Sequence, residues 1–122
     1  MNVLIVEDNK PVSLLLSRIT EEAGLGYVIA ADGEVALRLF GQRDIAMAII
    51  DVELPGLDGY QVARDIRNRA PALPIIIISA NAGDAWRQQA FDAGADEFLA
   101  KPLRPSELTT LFRRHLNLSP AP

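Results

Sequence analysis

The sequence predicts an α/β fold: a doubly wound parallel sheet with helices on both faces. Strand-like and helix-like segments alternate five times along 122 residues. The strand-like segments, of which Ile75-Ile76-Ile77-Ile78 is the clearest, are short and apolar at successive positions rather than at alternate ones. That pattern marks strands buried on both faces, as in a parallel sheet covered by crossover helices. Right-handed crossovers leave few topologies. In such sheets ligands bind beyond the carboxyl ends of the strands, where the strand order reverses.

Asn2 to Val6 forms the first strand and ends in Glu7-Asp8. Pro11 suits a first helical turn, since its missing N–H would have no partner there. Val12, Leu15, Leu16, Ile19 and Ala23 then recur at helical spacing, and Gly24 closes the helix. Leu14 falls on the opposite face from this stripe. Tyr27 to Ala30 is a short second strand, and Asp32-Gly33 opens a second helix through about Phe40. Ala46 to Ile50 is the third strand, with Asp51 directly after it. Leu54-Pro55-Gly56 cannot continue a strand. Asp58 offers an N-cap, with Gln61 as the other half of a capping box, to a helix that turns Val62, Ala63 and Ile66 inward. Pro74 introduces the Ile75 to Ile78 strand, which ends in Ser79-Ala80. A fourth helix runs from about Asp84 to Ala93 and stops at Gly94. Glu97 to Ala100 is the fifth strand, ending in Lys101-Pro102. The last helix starts near Pro105-Ser106 and carries Leu108, Leu111, Phe112 and Leu116 on one face. Residues 1–118 are expected to form one domain, with 119–122 a frayed tail or the start of a linker.

Composition narrows the function. Nearly half of the residues are apolar, enough for a substantial core. Twelve basic and sixteen acidic residues give a formal charge of −4, which disfavours non-specific nucleic-acid binding because phosphates repel it. The absence of cysteine excludes disulfides, zinc–thiolate sites and thiol chemistry. The longest apolar run is too short to span a membrane, and Glu7-Asp8 interrupts the first one, unlike a signal peptide. A cytoplasmic protein without membrane insertion is expected.

The candidate site follows from what the strands deliver. Glu7 and Asp8 leave the first strand, Asp51 the third, Ser79 the fourth and Lys101 the fifth. In a parallel sheet all five groups face one rim. Three carboxylates there repel one another unless a cation shares them, and a hard ion such as Mg²⁺ takes oxygen ligands. Lys101 is a point charge suited to a phosphoryl oxygen or a carboxylate, and the Ser79 hydroxyl can donate to the same oxygens. Phosphoryl transfer to an aspartate needs such a set: a carboxylate nucleophile, a metal and donors around the transferred group.

These residues resemble the receiver domains of two-component response regulators, of stand-alone chemotaxis or phosphorelay type. The resemblance rests on Glu7-Asp8, on Asp51-Val52-Glu53-Leu54-Pro55-Gly56-Leu57-Asp58-Gly59, on Ser79-Ala80 and on Lys101-Pro102. Gly26-Tyr27 through Asp32-Gly33 and Ala93-Gly94-Ala95-Asp96 extend it over residues 2 to 116. It implies a flavodoxin-like five-stranded sheet in the order 2-1-3-4-5 with five helices. It implies that Asp51 accepts a phosphoryl group from a phosphohistidine of a sensor histidine kinase or a histidine phosphotransfer protein. Asp8 and Asp51 would bind Mg²⁺ directly, Glu53 would add its backbone carbonyl, and Glu7 would act largely through water. Lys101 would bridge to the phosphorylated carboxylate, and Ser79 would turn in to bond the phosphoryl group. Phe98 stands at the family's aromatic switch position, and Lys101-Pro102 matches a peptide bond commonly cis there.

Departures from the family pattern are small. Leu54 replaces a common Met, Ser79 a more frequent Thr, and Phe98 a frequent Tyr. Glu53 and Asn81 occupy variable positions linked in the family to dephosphorylation rate. Such a domain is a signalling switch that catalyses only its own phosphorylation and dephosphorylation. Three rivals stand beside it. An aspartate-nucleophile phosphohydrolase wants an Asp two residues after the nucleophile, where Glu53 stands, and a cap domain. A flavin-binding domain of the same fold wants a Ser/Thr/Gly-rich loop after the first strand, where Glu7-Asp8-Asn9 would repel a phosphate. A non-phosphorylated pseudo-receiver would lack part of the acidic set.

Trp86 reads as helix packing, Arg113 and Arg114 as a solvated face, and His115 as a cation near a helix C-terminus. Leu14, with Pro11 and Leu15, is a candidate docking point for a kinase or phosphotransfer helix pair, and a lone exposed leucine is the plain alternative. Met1 directly before the first strand reads as a native start. With no DNA-binding element, the chain is expected to act on a downstream protein target, alone or as a domain of a longer regulator.

Overall fold

The computed structural model describes residues 1–118, and the expected tail at 119–122 lies outside them. Five parallel strands alternate with five helices, of which the first four connect successive strands. In chain order these are β1 (Asn2–Val6), α1 (Lys10–Glu22), β2 (Gly26–Ala30), α2 (Gly33–Gln42), β3 (Ile45–Asp51), α3 (Gly59–Arg69), β4 (Ile75–Ser79), α4 (Asp84–Asp92), β5 (Glu97–Ala100) and α5 (Pro105–Leu116). The sheet order is β2-β1-β3-β4-β5. This is the flavodoxin-like, doubly wound arrangement that the resemblance implied.

The strand period of two sorts the apolar side chains into two cores. Leu4, Val6, Ala48, Ile50, Ile75 and Ile77 pack with buried residues of α2, α3 and α4. Val3, Ile5, Met47, Ile49, Ile76 and Ile78 pack with those of α1 and α5. The central strands are therefore closed on both faces, and all four isoleucines of β4 are fully buried. The edge strand β2 departs from this: it leaves Tyr27 and Ile29 exposed, because neither α1 nor α2 fully covers it.

Helix α1 corrects one reading. Leu16 and Ile19 are buried as the spacing predicts, but Leu15 is exposed, and Ser13, Ser17 and Thr20 take its share of the buried face. Burial of these hydroxyls is tolerated because each donates back to a carbonyl of its own helix. Ser13 donates to Lys10 O at 3.1 Å, Ser17 to Leu14 O at 2.9 Å and Thr20 to Leu16 O at 2.7 Å. Leu14 is exposed, as its place opposite the stripe predicts.

Two strand ends run one residue further than expected. Asp51 and Ser79 belong to β3 and β4, opposite Ile78 and Ala100. Across the sheet Val6 stands beside Ala30 and Ile50, and Ile50 beside Ile77. The carboxyl ends of β1, β3 and β4 thus finish nearly level, at one rim. Helix α3 starts with the expected capping box: Asp58 accepts from Gln61 N at 2.9 Å, and Asp58 N donates to the Gln61 side chain at 3.1 Å.

Candidate functional site

The chain leaves β1 toward one edge of the sheet and leaves β3 toward the other, so a crevice opens between their carboxyl ends. Asp51 closes β3 there and is 3% exposed. The loop after it is tied down at both sides: Val52 N donates to Ile78 O at 3.0 Å, and Gly59 N to Val52 O at 2.9 Å. A Cβ at Gly59 would fall on the Asp51 carbonyl, so glycine lets α3 begin this close to the strand. Glu7, 2% exposed, is fixed by its N–H on Ala30 O at 3.0 Å, and its Oε2 accepts from Asn9 N at 3.2 Å. One carboxylate oxygen from each of Glu7, Asp8 and Asp51 lies within 4.8 Å of the others. Lys101, entering from the far side after β5, places Nζ 3.0 Å from Glu7 Oε1 and 3.3 Å from Asp51 Oδ2.

Ser79 is buried at the end of β4, and its hydroxyl accepts from Asn81 N at 3.0 Å. Its carbonyl accepts from Lys101 N at 2.7 Å, which joins the ends of β4 and β5. Glu53 stands at the mouth. Its N–H reaches Asp51 Oδ1 at 3.4 Å, and its carboxylate accepts from the Asn81 amide at 3.4 Å. The structure thus gathers Glu7, Asp8, Asp51 and Lys101 directly, with Ser79 at the end of β4 and Glu53 on the β3–α3 loop around them. The Lys101-Pro102 bond is cis. Phe98 is buried under the Arg87 guanidinium, 5.3 Å from its ring centroid. His115 and Arg114 both contact the Glu97 carboxylate, at 2.8 and 3.1 Å, far along α5.

Electrostatics at the rim are shaped by burial. Desolvation pushes the Glu7 carboxyl up to about 7, and Asp51 pushes it the same way; the contacts with Lys101 and Asn9 act against this and lose. Desolvation pulls the Lys101 ammonium down, but its contact with Glu7 and the charges of Asp51 and Glu7 outweigh it, so the net shift is upward. Lys101 is therefore a firmly held cation. Glu7 Oε1 is buried and, despite the nearby ammonium, receives no hydrogen bond among the described residues. Three carboxylate oxygens within 4.8 Å of one another, with a single ammonium to offset them, fit a hard divalent cation.

An apolar hollow borders the site, lined by Glu7, Asp8, Lys10, Leu14, Ile29 and Ala31 among others. The sequence grouped Leu14 with Pro11 and Leu15, and of these three Leu14 lines the hollow. Ile29 and Ala31 join it only because β2 lies beside β1, a neighbour relation that local patterning does not carry.

Comparison with known proteins agrees with the geometry. A family model described as the response regulator receiver domain matches residues 3–113. The transcriptional regulatory protein TctD of Salmonella typhimurium is 31% identical over 119 residues, covering 98% of this chain and 53% of that protein. TcrA of Mycobacterium tuberculosis is 31% identical over 122 residues, covering 100% and 48%. The chain thus spans about half the length of these curated relatives. Among solved structures, the receiver domain of a sensor histidine kinase from Pseudomonas aeruginosa, with magnesium coordinated in its active-site cleft, is 31% identical with a TM-score of 0.87. That match covers 95% of this chain and 97% of the other. With that fold and that rim of acids, the chain belongs to the family of response regulator receiver domains, the signalling switches of two-component systems.

Proposed function

We propose that this domain accepts a phosphoryl group on Asp51 from a phosphohistidine of a sensor histidine kinase or histidine phosphotransfer protein, in a Mg²⁺-dependent reaction. The convergence of Glu7, Asp8 and Lys101 on Asp51 carries this reading. An Asp51 carboxylate oxygen attacks phosphorus as the donor's P–N bond breaks, and the donor imidazole keeps the electron pair and takes up a proton. Asp8 and Asp51 would hold the metal, with the Glu53 carbonyl added and Glu7 acting through water. Bound there, the ion would neutralise charge on the transferred oxygens. Lys101 supplies a fixed positive charge at Asp51, and the Ser79 hydroxyl supplies a donor at the end of the next strand. The Pseudomonas aeruginosa relative has a magnesium ion coordinated in its active-site cleft, which supports a metal at the acidic rim here.

The added phosphoryl group brings about two negative charges and draws Lys101 and Ser79 toward it, which biases the loops they end. Intact mass after incubation with a small phosphodonor and Mg²⁺ tests the reading. One phosphoryl group is expected, lost in Asp51→Asn and without Mg²⁺. Absence of any adduct or stable beryllofluoride complex in the wild type would identify a pseudo-receiver instead. The hollow beside Leu14 is continuous with Glu7 and Asp8, so a donor helix seated in it would have its histidine near Asp51. Leu14→Asp is expected to slow transfer from the cognate donor at least tenfold and to leave the small-phosphodonor reaction unchanged; equal slowing of both would remove Leu14 from the docking surface.

A further inference from the structure

Helix α4 is the helix that the core holds least. Ala90 is its one buried residue, and no side chain caps its start at Gly83. Two directional contacts reach it from other elements. The Tyr60 hydroxyl donates to the Trp86 carbonyl at 3.2 Å, across 26 residues of sequence. The Arg87 guanidinium lies over the Phe98 ring of β5.

Both ends of this arrangement lead to the rim. Tyr60 follows Gly59, whose N–H closes the β3–α3 loop on Val52, so Tyr60 is fixed by the loop that carries Asp51 to Glu53. On the other side, the segment from Ser79 to Asn81 runs directly into α4, and Asn81 bonds to both Ser79 and Glu53. We propose that the Tyr60 hydroxyl on the Trp86 carbonyl is a latch: it sets the position of α4 against α3 and couples that position to the loop beside Asp51, with Arg87 on Phe98 as its second point. Tyr60 is a positioning residue and touches no reacting atom. Burial, and then the Asp58 charge, raise its phenol above the ordinary value, so it remains a donor at neutral and mildly alkaline pH.

Coupling to the rim rests on the phosphoryl-acceptor reading, whereas the latch does not. Tyr60→Phe removes only the hydroxyl, and Arg87→Gln removes the guanidinium over Phe98 while keeping a polar side chain. Amide hydrogen exchange of residues 88–92 is expected to quicken roughly three- to tenfold in Tyr60→Phe, with β1, β3 and β4 unchanged. Emission of Trp86, the only tryptophan, should shift to the red in the same variant. Wild-type exchange in α4 in both variants, or equal quickening of every element, would overturn the latch. Adding a phosphodonor and Mg²⁺, with intact mass as the check on loading, tests the coupling. A change in α4 exchange that is larger in wild type than in Tyr60→Phe supports it, and equal changes at equal loading overturn it. No mass gain in either protein would overturn the acceptor reading, and the exchange of the unloaded proteins would still decide the latch.

Discussion

Glu7 carries a carboxyl that folding makes harder to ionise, shifted from 4.5 to about 7 by burial and by Asp51. The native state therefore binds more protons than the unfolded chain between those values. This contribution to stability is complete below about 4.5, declines as pH rises, and is gone above about 7. In chelator-treated protein, urea unfolding between pH 5 and 8 (roughly the span of this titration) should show stability falling with pH. Glu7→Gln cannot titrate and is expected to flatten the profile; an unchanged slope would show that another group carries it. The sequence placed Glu7 at the rim from its position after the first apolar run. It did not show that the side chain would be 2% exposed and almost touching Lys101, because that depends on β5 lying on the far side of β3 and β4 from β1.

At the scale of elements, the rim opposite the site is tied by one side chain. Arg67 of α3 donates to the carbonyls of Gly94 at 2.7 and 3.0 Å, Leu73 at 2.7 Å and Pro71 at 3.0 Å, and pairs with Asp96 at 2.7 Å. The same Asp96 oxygen accepts Ile75 N at 2.8 Å, so the entries to β4 and β5 share one anchor. Arg67→Ala leaves several partly buried carbonyls without a donor and should cost about 2–4 kcal/mol in urea unfolding. Arg67→Lys should recover little of it, since an ammonium cannot span the fork. Phosphoryl acceptance by the folded protein should be unchanged, because this rim lies at the amino ends of the strands. A loss of acceptance without loss of stability would contradict that separation. The helix carrying Arg67 was readable from Asp58 and Gln61, whose cap is local chemistry. The stripe of α1 was read less well: hydropathy set Leu15 above Ser13, Ser17 and Thr20, yet these hydroxyls satisfy themselves on their own helix and take the buried positions.

At the scale of the whole molecule, metal binding and folding are linked through the rim, because the three carboxylates converge only when β1 and β3 are paired. Mg²⁺ at ten times its dissociation constant should therefore raise stability by about 1.4 kcal/mol. Thermal melts with and without chelator measure this. Asp8→Asn should shrink the gain, and a melting temperature indifferent to Mg²⁺ would remove the ion from the site. No helix among the described residues is long and apolar enough to cross a membrane. The sequence by itself determined the alternation of strands and helices, the capping box of α3, the closed faces of β1, β3 and β4, and the residue types at the strand ends, because periodicity and capping are properties of neighbours in the chain. Only the tertiary structure decided which hydroxyls of α1 are buried, that Ile29 joins Leu14 beside the acids, and that Tyr60 reaches Trp86. Those contacts join segments that only the crossovers of the sheet bring together, and no local pattern records which strand will lie beside which.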